Sequence, residues 1–268
     1  METLKISIQK HIAHLIINRP DKANALNQIA WDEILQIFTE LDENPDVRVI
    51  VLEGGDSKHF CAGIDLSLLM SVTQAKTPCD ARRREKIRKD ILRLQAPINA
   101  IENCSKPVLA AIHGGCIGGG VDLVCACDMR YCTDDTFFTI KEIDMGMVAD
   151  LGTLQRLPKL ISEGLVREMA YTGRNVGGKE AEKIGMVNRT FVDKATMLTE
   201  VMTLAETIAQ KSPVAIRGTK HILQHSREHS VADGLNYMAT WNAGMLLSAD
   251  LQEAFEAKMT KREPKFEN

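Results

Sequence analysis

His113-Gly-Gly-Cys-Ile-Gly-Gly-Gly-Val-Asp122 is the stretch that decides the fold, and it stands between two apolar runs. Val108–Ile112 before it is typical of a buried strand, and 123–127 after it of a helix, so the sequence predicts strand, turn and helix. Five glycines in seven positions let the backbone approach a ligand closely, and the following helix directs free N–H groups at that ligand. We therefore predict an anion or oxyanion site, although tight helix–strand packing explains the glycines equally well.

A second loop of the same kind is His59-Phe-Cys-Ala-Gly-Ile-Asp-Leu66, which follows the strand-like run 47–52 and a Gly-Gly turn. Loops that follow parallel strands meet at one edge of a sheet. If the backbone N–H groups of Ile64 and Gly119 converge there, they form a two-donor oxyanion hole, suited to a thioester oxygen that becomes an enolate. Neither a phosphate loop with Gly-Lys-Ser/Thr nor a Gly-x-Gly-x-x-Gly dinucleotide turn is present.

Three carboxylates, Asp122, Glu142 and Asp150, are embedded in apolar sequence. Burial disfavours the ionised form, so we expect the pKa of each to rise toward the range that is useful for proton transfer. The structural alternative is that Asp122 caps a helix, Glu142 pairs with Lys141 or Arg156, and Asp150 makes a turn.

Composition narrows the class of protein. The chain has 268 residues, 44% of them hydrophobic, which fits one large domain or one domain with a helical appendage. A net charge of -3 gives no reason to expect a nucleic-acid partner. The seven cysteines match no paired Cys-x-x-Cys site, so we expect free thiols, a reducing compartment and no metal. We find neither a secretory or peroxisomal address nor an apolar run of about 18 residues, and we therefore predict a cytoplasmic protein without a membrane span.

The order of elements predicts an α/β protein with a helical end. Strand-like and helix-like segments alternate up to about residue 195, after which strand signals stop. We therefore predict a core at 1–195 and a C-terminal helical region at 196–268, with one of its helices starting at Pro213 after Ser212.

Several motifs together resemble the enoyl-CoA hydratase/isomerase (crotonase) superfamily. They are Asn18-Arg-Pro-Asp-Lys-Ala-Asn-Ala-Leu26, Phe60-Cys-Ala-Gly-Ile-Asp-Leu66, Gly114-Gly-Cys-Ile-Gly-Gly-Gly120 and Gly152-Thr-Leu-Gln-Arg-Leu-Pro158. The resemblance implies a crotonase-like spiral of ββα turns, a C-terminal helical trimerisation region in a homotrimer or homohexamer, and an oxyanion hole made by Ile64 and Gly119. It implies an acyl-CoA thioester substrate, with no cofactor because CoA is part of the substrate. The substrate contacts that it implies are Ala23, Ala25, Ala62, Gly63, Asp65, Leu66, Gly120 and, from a neighbouring subunit, Lys258.

The acids depart from the hydratase pattern. Hydratases of the superfamily carry two glutamates where this chain has Asp122 and Glu142, and typically a glycine where it has Asp150. The segments 118–122, 141–146 and 149–156 instead resemble the Δ3,5-Δ2,4-dienoyl-CoA isomerase subfamily. That resemblance implies an isomerase of fatty-acid β-oxidation that shifts the double bonds of 3,5-dienoyl-CoA to the 2,4 positions. Glu142 would be the base at C2, Asp150 the acid near C6 and Asp122 a group that orients Glu142, although the first two roles can be exchanged.

Three other functions stay open at this stage. The first alternative is a 2-enoyl-CoA hydratase, since Asp122 and Glu142 can hold a water molecule for addition to a 2,3 double bond. A Δ3,Δ2-enoyl-CoA isomerase is the second. The third is a non-catalytic scaffold or RNA-binding member of the same fold, which the full set of acids and the net charge of -3 argue against.

Overall fold

The computed structural model describes residues 1–73 and 79–268, and within them the chain forms nine strands and eleven α-helices. The strands are β1 Leu4–Gln9, β2 Ile12–Ile17, β3 Val49–Glu53, β4 Val108–Ile112, β5 Gly115–Ile117, β6 Met129–Thr133, β7 Phe137–Thr139, β8 Val176–Gly177 and β9 Arg189–Phe191. The helices are α1 Gln28–Glu43, α2 Leu66–Thr73, α3 Asp80–Asn103, α4 Gly119–Ala126, α5 Thr153–Arg156, α6 Glu163–Thr172, α7 Gly178–Lys183, α8 Lys194–Ala209, α9 Pro213–Ser226, α10 Val231–Met245 and α11 Ala249–Met259.

Two sheets organise the molecule. A six-stranded sheet has the order β1-β2-β3-β4-β6-β9, antiparallel only between β1 and β2, and a small sheet has the order β5-β7-β8. Successive turns of the chain send one strand to each sheet, as β4 and β5 do before α4 and β6 and β7 do after it. The predicted α/β spiral of ββα turns is therefore confirmed.

The central strands are buried on both faces. Ile50 and Leu52 of β3 join the larger core with α1, α3 and α4, while Val49 and Val51 face a second core with α8. Strands covered on both sides have no solvent-facing positions, which is why β3 and β4 read as continuous apolar runs.

The edge strand β1 differs from what its pattern suggests. Its period-two apolar positions predict a strand, and a strand forms, but only Leu4 is buried. Ile6 and Ile8 are 39% and 42% exposed, so beyond Leu4 the described residues cover the apolar face of β1 only in part.

The C-terminal helices do not all leave the core. The predicted boundary between residues 195 and 196 falls inside α8, whose Met197 and Val201 are buried in the second core. The helical region beyond the core therefore begins with α9, which starts at Pro213 as predicted, with the Ser212 hydroxyl accepting a hydrogen bond from the Ala215 amide at 3.1 Å. Among residues 1–73 and 79–268, no helix has both the length and the apolar character that a bilayer crossing requires.

Candidate active site

The two glycine-containing loops lie side by side at one edge of the large sheet. They follow β3 and β4, which are parallel neighbours. The Cys61 amide donates to the Gly115 carbonyl at 3.2 Å, and the Ile117 amide donates to the Cys61 carbonyl at 2.9 Å. The predicted meeting of these loops at a common sheet edge is confirmed.

Asn24 fixes a third loop against the two glycine-containing loops. The sequence did not predict a role for this residue. Its side-chain amide donates to the carbonyls of Gly54 and Phe60 at 2.8 and 3.1 Å, and the residue is fully buried. Its φ of +57° is left-handed, a conformation that asparagine tolerates better than most residues. The available signal was an asparagine between two alanines in the motif at 18–26.

The backbone N–H groups of Ile64 and Gly119 are brought together. Leu26 pairs with the carbonyl of Gly63 and the amide of Asp65, so the N–H of Ile64 points away from that pairing. Gly119 is the first residue of α4, where an N–H has no partner within the helix. A Cβ at Gly119 would lie 3.5 Å from the Ile64 nitrogen. The two residues are therefore neighbours, as the predicted two-donor hole needs.

The glycines also allow close packing. Gly63 has φ +92°, and a Cβ there would lie 2.9 Å from the carbonyl oxygen of Ile117. At Gly120 a Cβ would lie 2.9 Å from the Cβ of Cys61. Tight packing and access to backbone donors are therefore both properties of this turn, and the sequence could not separate them.

Asp122 lies inside the protein. It is 1% exposed, and its Oδ1 accepts hydrogen bonds from both the amide and the hydroxyl of Thr153 at 2.7 Å each. Burial raises its pKa to about 7; the bonds from Thr153 act in the opposite direction, and the nearby Glu142 carboxylate adds to the rise. Its Oδ2 is buried without a hydrogen-bond partner among the described residues. The side chain therefore does not cap α4.

Glu142 begins a short 3₁₀ helix, Glu142–Met145, and is half-buried. Burial raises its pKa, and the charge of Asp150 adds to the rise. Its Oε2 is buried without a hydrogen-bond partner among the residues described. The alternative pairings are absent, because Lys141 pairs with Asp144 at 2.6 Å and Arg156 pairs with a glutamate of α3.

Asp150 stands at the exposed side of the same cluster. Its backbone carbonyl accepts a hydrogen bond from the Gln95 side chain of α3 at 2.6 Å. Partial burial of its carboxyl group raises its pKa, and its charge in turn raises the pKa of Asp122 and of Glu142. The three predicted acids therefore interact in one site.

A cavity of about 330 Å³ opens beside Glu142. Its lining is mainly apolar and includes Ile140, Met147, Val148, Leu154 and Val166. A larger cavity of about 410 Å³ lies between the β1–β2 turn and the C-terminal segment, and none of the three carboxylates lines it. The cavity beside Glu142 therefore has room for an apolar chain next to that carboxylate.

Most of the predicted contact residues lie in or next to the adjoining loops, and one does not. The Ala62 amide donates to the Ala23 carbonyl at 3.0 Å, and Asp65 pairs with Arg19 at 3.3 Å. Ala23, Ala25, Ala62, Gly63 and Asp65 are in these loops, while Leu66 and Gly120 lie in the first turns of α2 and α4, which follow the loops. Lys258 is exposed on α11, with no ion pair among the described residues, and nothing within this chain joins it to the site.

Comparison with known proteins agrees with this architecture. Residues 7–268 match the model of the family described as enoyl-CoA hydratase/isomerase. A protein of Arabidopsis thaliana named Δ3,5-Δ2,4-dienoyl-CoA isomerase, peroxisomal, is 50% identical over 99% of this chain and 96% of its own length. The mitochondrial protein of the same enzyme name from Homo sapiens is 48% identical over 98% of this chain and 81% of its own length.

The same relatives correct one prediction. We predicted a cytoplasmic protein, and this prediction is wrong, because the relatives from A. thaliana and H. sapiens are named peroxisomal and mitochondrial. Organelle addresses are short segments read by receptors, so the residues that build the fold carry no information about them.

Solved structures of the same family superimpose on this chain. The crystal structure of enoyl-CoA hydratase from Bacillus anthracis superimposes with a TM-score of 0.90 at 27% identity, covering 99% of each chain. An enoyl-CoA hydratase/isomerase family protein from Hyphomonas neptunium gives 0.89 at 29% identity, covering 98% of this chain and 97% of its own. On sequence and on fold, the chain belongs to the enoyl-CoA hydratase/isomerase family.

Proposed function

We propose that this protein is a Δ3,5-Δ2,4-dienoyl-CoA isomerase. The observation that carries the proposal is the third carboxylate, Asp150, whose charge raises the pKa of both Asp122 and Glu142. Two acids suffice to hold a water molecule for hydration. A proton transfer between two distant carbons needs an acid and a base at separate positions along the acyl chain, and the third carboxylate supplies the additional group.

The reaction is a net proton shift from C2 to C6. Glu142 removes a proton from C2, and the electron pair moves onto the thioester oxygen as an enolate conjugated with both double bonds of the chain. The N–H groups of Ile64 and Gly119 stabilise that negative charge, and such stabilisation of a developing oxyanion is a large part of catalysis in acyl chemistry. Asp150 then gives a proton to C6 as the double bonds move to the 2,4 positions. No electrons are gained or lost, so the chemistry needs no redox cofactor, and CoA enters as part of the substrate.

Raised pKa values favour this cycle. An acid with an ordinary pKa is ionised at neutral pH and has no proton to give, whereas all three carboxyl groups have a pKa above the usual value. Each turnover leaves Glu142 protonated and Asp150 ionised, so before the next one Glu142 releases its proton and the exposed Asp150 takes one up from solvent. Asp122, buried behind Glu142, orients that carboxylate.

The test is an ultraviolet assay with 3,5-dienoyl-CoA beside crotonyl-CoA. Conjugation of the new diene with the thioester changes the absorbance and reports isomerisation directly. We expect turnover of the dienoyl substrate by the wild type and a loss of about 10²–10⁴-fold in Asp150→Asn. Asp144→Asn is the matched control, because Asp144 is an exposed carboxylate nearby whose partner is Lys141. Rapid hydration of crotonyl-CoA with little dienoyl turnover would instead identify a hydratase.

The same variants distinguish the two proton-transfer roles. In D₂O, an enzyme that keeps its C2 base still exchanges the C2 protons of the substrate after the acid is removed. We expect Asp150→Asn to exchange these protons without isomerisation and Glu142→Gln to do neither, as followed by NMR. If Glu142→Gln exchanges the C2 protons and Asp150→Asn does not, Asp150 is the base at C2 and Glu142 is the acid.

We also propose a homotrimer or homohexamer in which Lys258 contacts the CoA phosphates of a neighbouring subunit. Two observations support this arrangement. Lys258 is exposed and has no ion pair among the described residues. Its helix α11 also carries exposed apolar side chains, Phe255 and Met259, that a partner subunit would cover.

A further inference from the structure

Thr153 holds one oxygen of Asp122 with two donors. The backbone amide and the hydroxyl of Thr153 both donate to Oδ1 at 2.7 Å, whereas Oδ2 is buried without a partner among the residues that the structure describes. Both side chains are 1% exposed, so water does not replace these bonds. The two oxygens of one carboxylate are therefore chemically different.

The position of Thr153 is fixed by its neighbours. Gly152 before it has φ +129°, a conformation that L side chains rarely adopt, and the Arg156 guanidinium occupies the space where a Cβ would stand, 1.9 Å from it. Arg156 is itself held by Glu102 of α3 in an ion pair of 2.6 Å. The turn that presents the two donors is thus tied to α3 and has little freedom to move.

A second threonine also donates both its amide and its hydroxyl to one oxygen of a carboxylate, and that carboxylate is less deeply buried. The amide and hydroxyl of Thr3 both donate to Oε2 of Glu33, at 2.9 and 2.6 Å. Desolvation is the largest single effect on Glu33 and raises its pKa, but the bonds from Thr3, a bond from the Glu2 amide and the N-terminal charge together outweigh it, and the pKa is lowered. The two donors of Thr3 act in the direction expected of hydrogen bonds to an ionised carboxylate. At Asp122 burial opposes them and raises the pKa to about 7.

We propose that Thr153 is a positioning residue, which keeps Oδ1 of Asp122 as an acceptor so that Oδ2 is the atom that gains and loses a proton beside Glu142. An oxygen that accepts two hydrogen bonds is a poor site for a proton, so the acid form of Asp122 carries its proton on the unpartnered oxygen. The inference rests on the proposed isomerase function, in which Asp122 orients Glu142. It adds Thr153 as the residue that sets the orientation and the pKa of the Asp122 carboxyl group.

The test compares Thr153→Val, which removes the hydroxyl and keeps the shape, with Thr153→Ser, which keeps both donors. The titration of the Asp122 carboxyl is followed by infrared difference spectroscopy in the ligand-free enzyme, with Asp122→Asn identifying its signal. Losing a donor to the ionised form raises the pKa, so we expect an upward shift of about one pH unit in Thr153→Val. The pH profile of kcat/KM should shift in the same direction, with kcat lower by about tenfold and KM within twofold. Thr153→Ser should follow the wild type.

Thr3→Val is the matched control, because it removes the same kind of hydroxyl from a clamp remote from the site. A folded Thr153→Val enzyme with an unchanged Asp122 titration and pH profile would overturn the proposal. If Thr153→Val does not fold, Thr153→Ala replaces it in the comparison with Thr153→Ser. An enzyme without dienoyl turnover would refute the proposed function alone, since the titration of Asp122 is measured without substrate.

Discussion

Asp122, Glu142 and Asp150 form a series from fully buried to exposed. Burial is the largest cause of the raised pKa at each of them, and the charge of Asp150 adds to the rise at both Asp122 and Glu142. The sequence predicted these three residues and the direction of their pKa shifts, because an acid inside apolar sequence is desolvated. It could not predict Thr153, because a hydroxyl donor 31 positions away in the chain leaves no local pattern.

The buried acid predicts a dependence of stability on pH. The pKa of Asp122 rises from 3.8 to about 7 on folding, so its contribution is fully present below about pH 4 and is lost as the pH rises through about 7. Asp122→Asn lacks this loss. Its free energy of unfolding should therefore rise relative to that of the wild type between pH 4 and 7, by at most about 1.4 kcal/mol for each pH unit. Urea unfolding of both proteins at several pH values measures this difference in free energy.

Glu33 provides a control, because its contribution to stability changes with pH in the opposite direction. Its pKa is lowered in the folded protein, so its contribution is present above about pH 4.5 and lost as the pH falls through the lower value. Glu33→Gln should accordingly become less stable relative to the wild type as the pH rises. Stability curves for Asp122→Asn and the wild type that run parallel across this range would contradict the explanation for Asp122.

At the scale of elements, the strands and helices with one clear period were predictable, and the contacts between distant loops were not. Pro213 after Ser212 gave the start of α9, and continuous apolar runs gave β3 and β4. The approach of Ile64 to Gly119 depends on pairing between separate loops, which no local pattern encodes. The boundary predicted at 195 lies inside α8, which packs on the sheet, because a helix packed on a sheet has the same composition as a free one.

The close approach of α4 to the neighbouring loop makes a specific prediction at Gly120. A methyl group there would meet the Cβ and carbonyl oxygen of Cys61 at 2.9 and 3.0 Å, so α4 must move away from that loop. We expect Gly120→Ala to lose about 1–3 kcal/mol of stability. It should also lower dienoyl turnover, because Gly119 moves with the helix. Unfolding by urea and the ultraviolet assay measure the two effects.

Gly164 of α6 is the matched glycine. A Cβ at this position would meet no atom within 4 Å, so Gly164→Ala should keep its activity and be as stable as the wild type or more stable. If Gly120→Ala is as stable and as active as Gly164→Ala, the tight packing of α4 is not what holds the two backbone donors together.

At the scale of the whole molecule, a sheet of mainly parallel strands carries three loops to one edge, and most of this fold can be identified from the sequence. The motifs at 18–26, 60–66 and 114–120 are those loops, and each is bonded to another: Asn24 to the carbonyl of Phe60, and Cys61 to Gly115 and Ile117. The residues that identify the family are therefore the residues that assemble the site. Cellular location depends on no such contact, and the prediction made for it was wrong.

The surface of the C-terminal helices predicts self-association. Leu235, Leu247, Phe255 and Met259 lie on α10, α11 and the turn between them, and Leu247 and Met259 are 91% and 84% exposed. Exposed apolar side chains grouped in one region are typical of an interface between subunits. We expect the 29.7 kDa chain to sediment as a trimer or hexamer. Leu247→Glu combined with Phe255→Glu should reduce it to a monomer, because two charges would be buried without partners.

The same variant tests whether the site depends on the neighbouring subunit. If Lys258 contacts the CoA phosphates across the interface, the dissociated double variant should show a raised KM for the acyl-CoA, and Lys258→Ala in the intact oligomer should raise KM as well. Val192→Glu is the control, since Val192 is 77% exposed but lies outside the C-terminal helices. A wild type that sediments as a monomer with full dienoyl turnover would contradict both the assembly and the role of Lys258, and would leave the carboxylate cluster of a single chain as the complete catalytic unit.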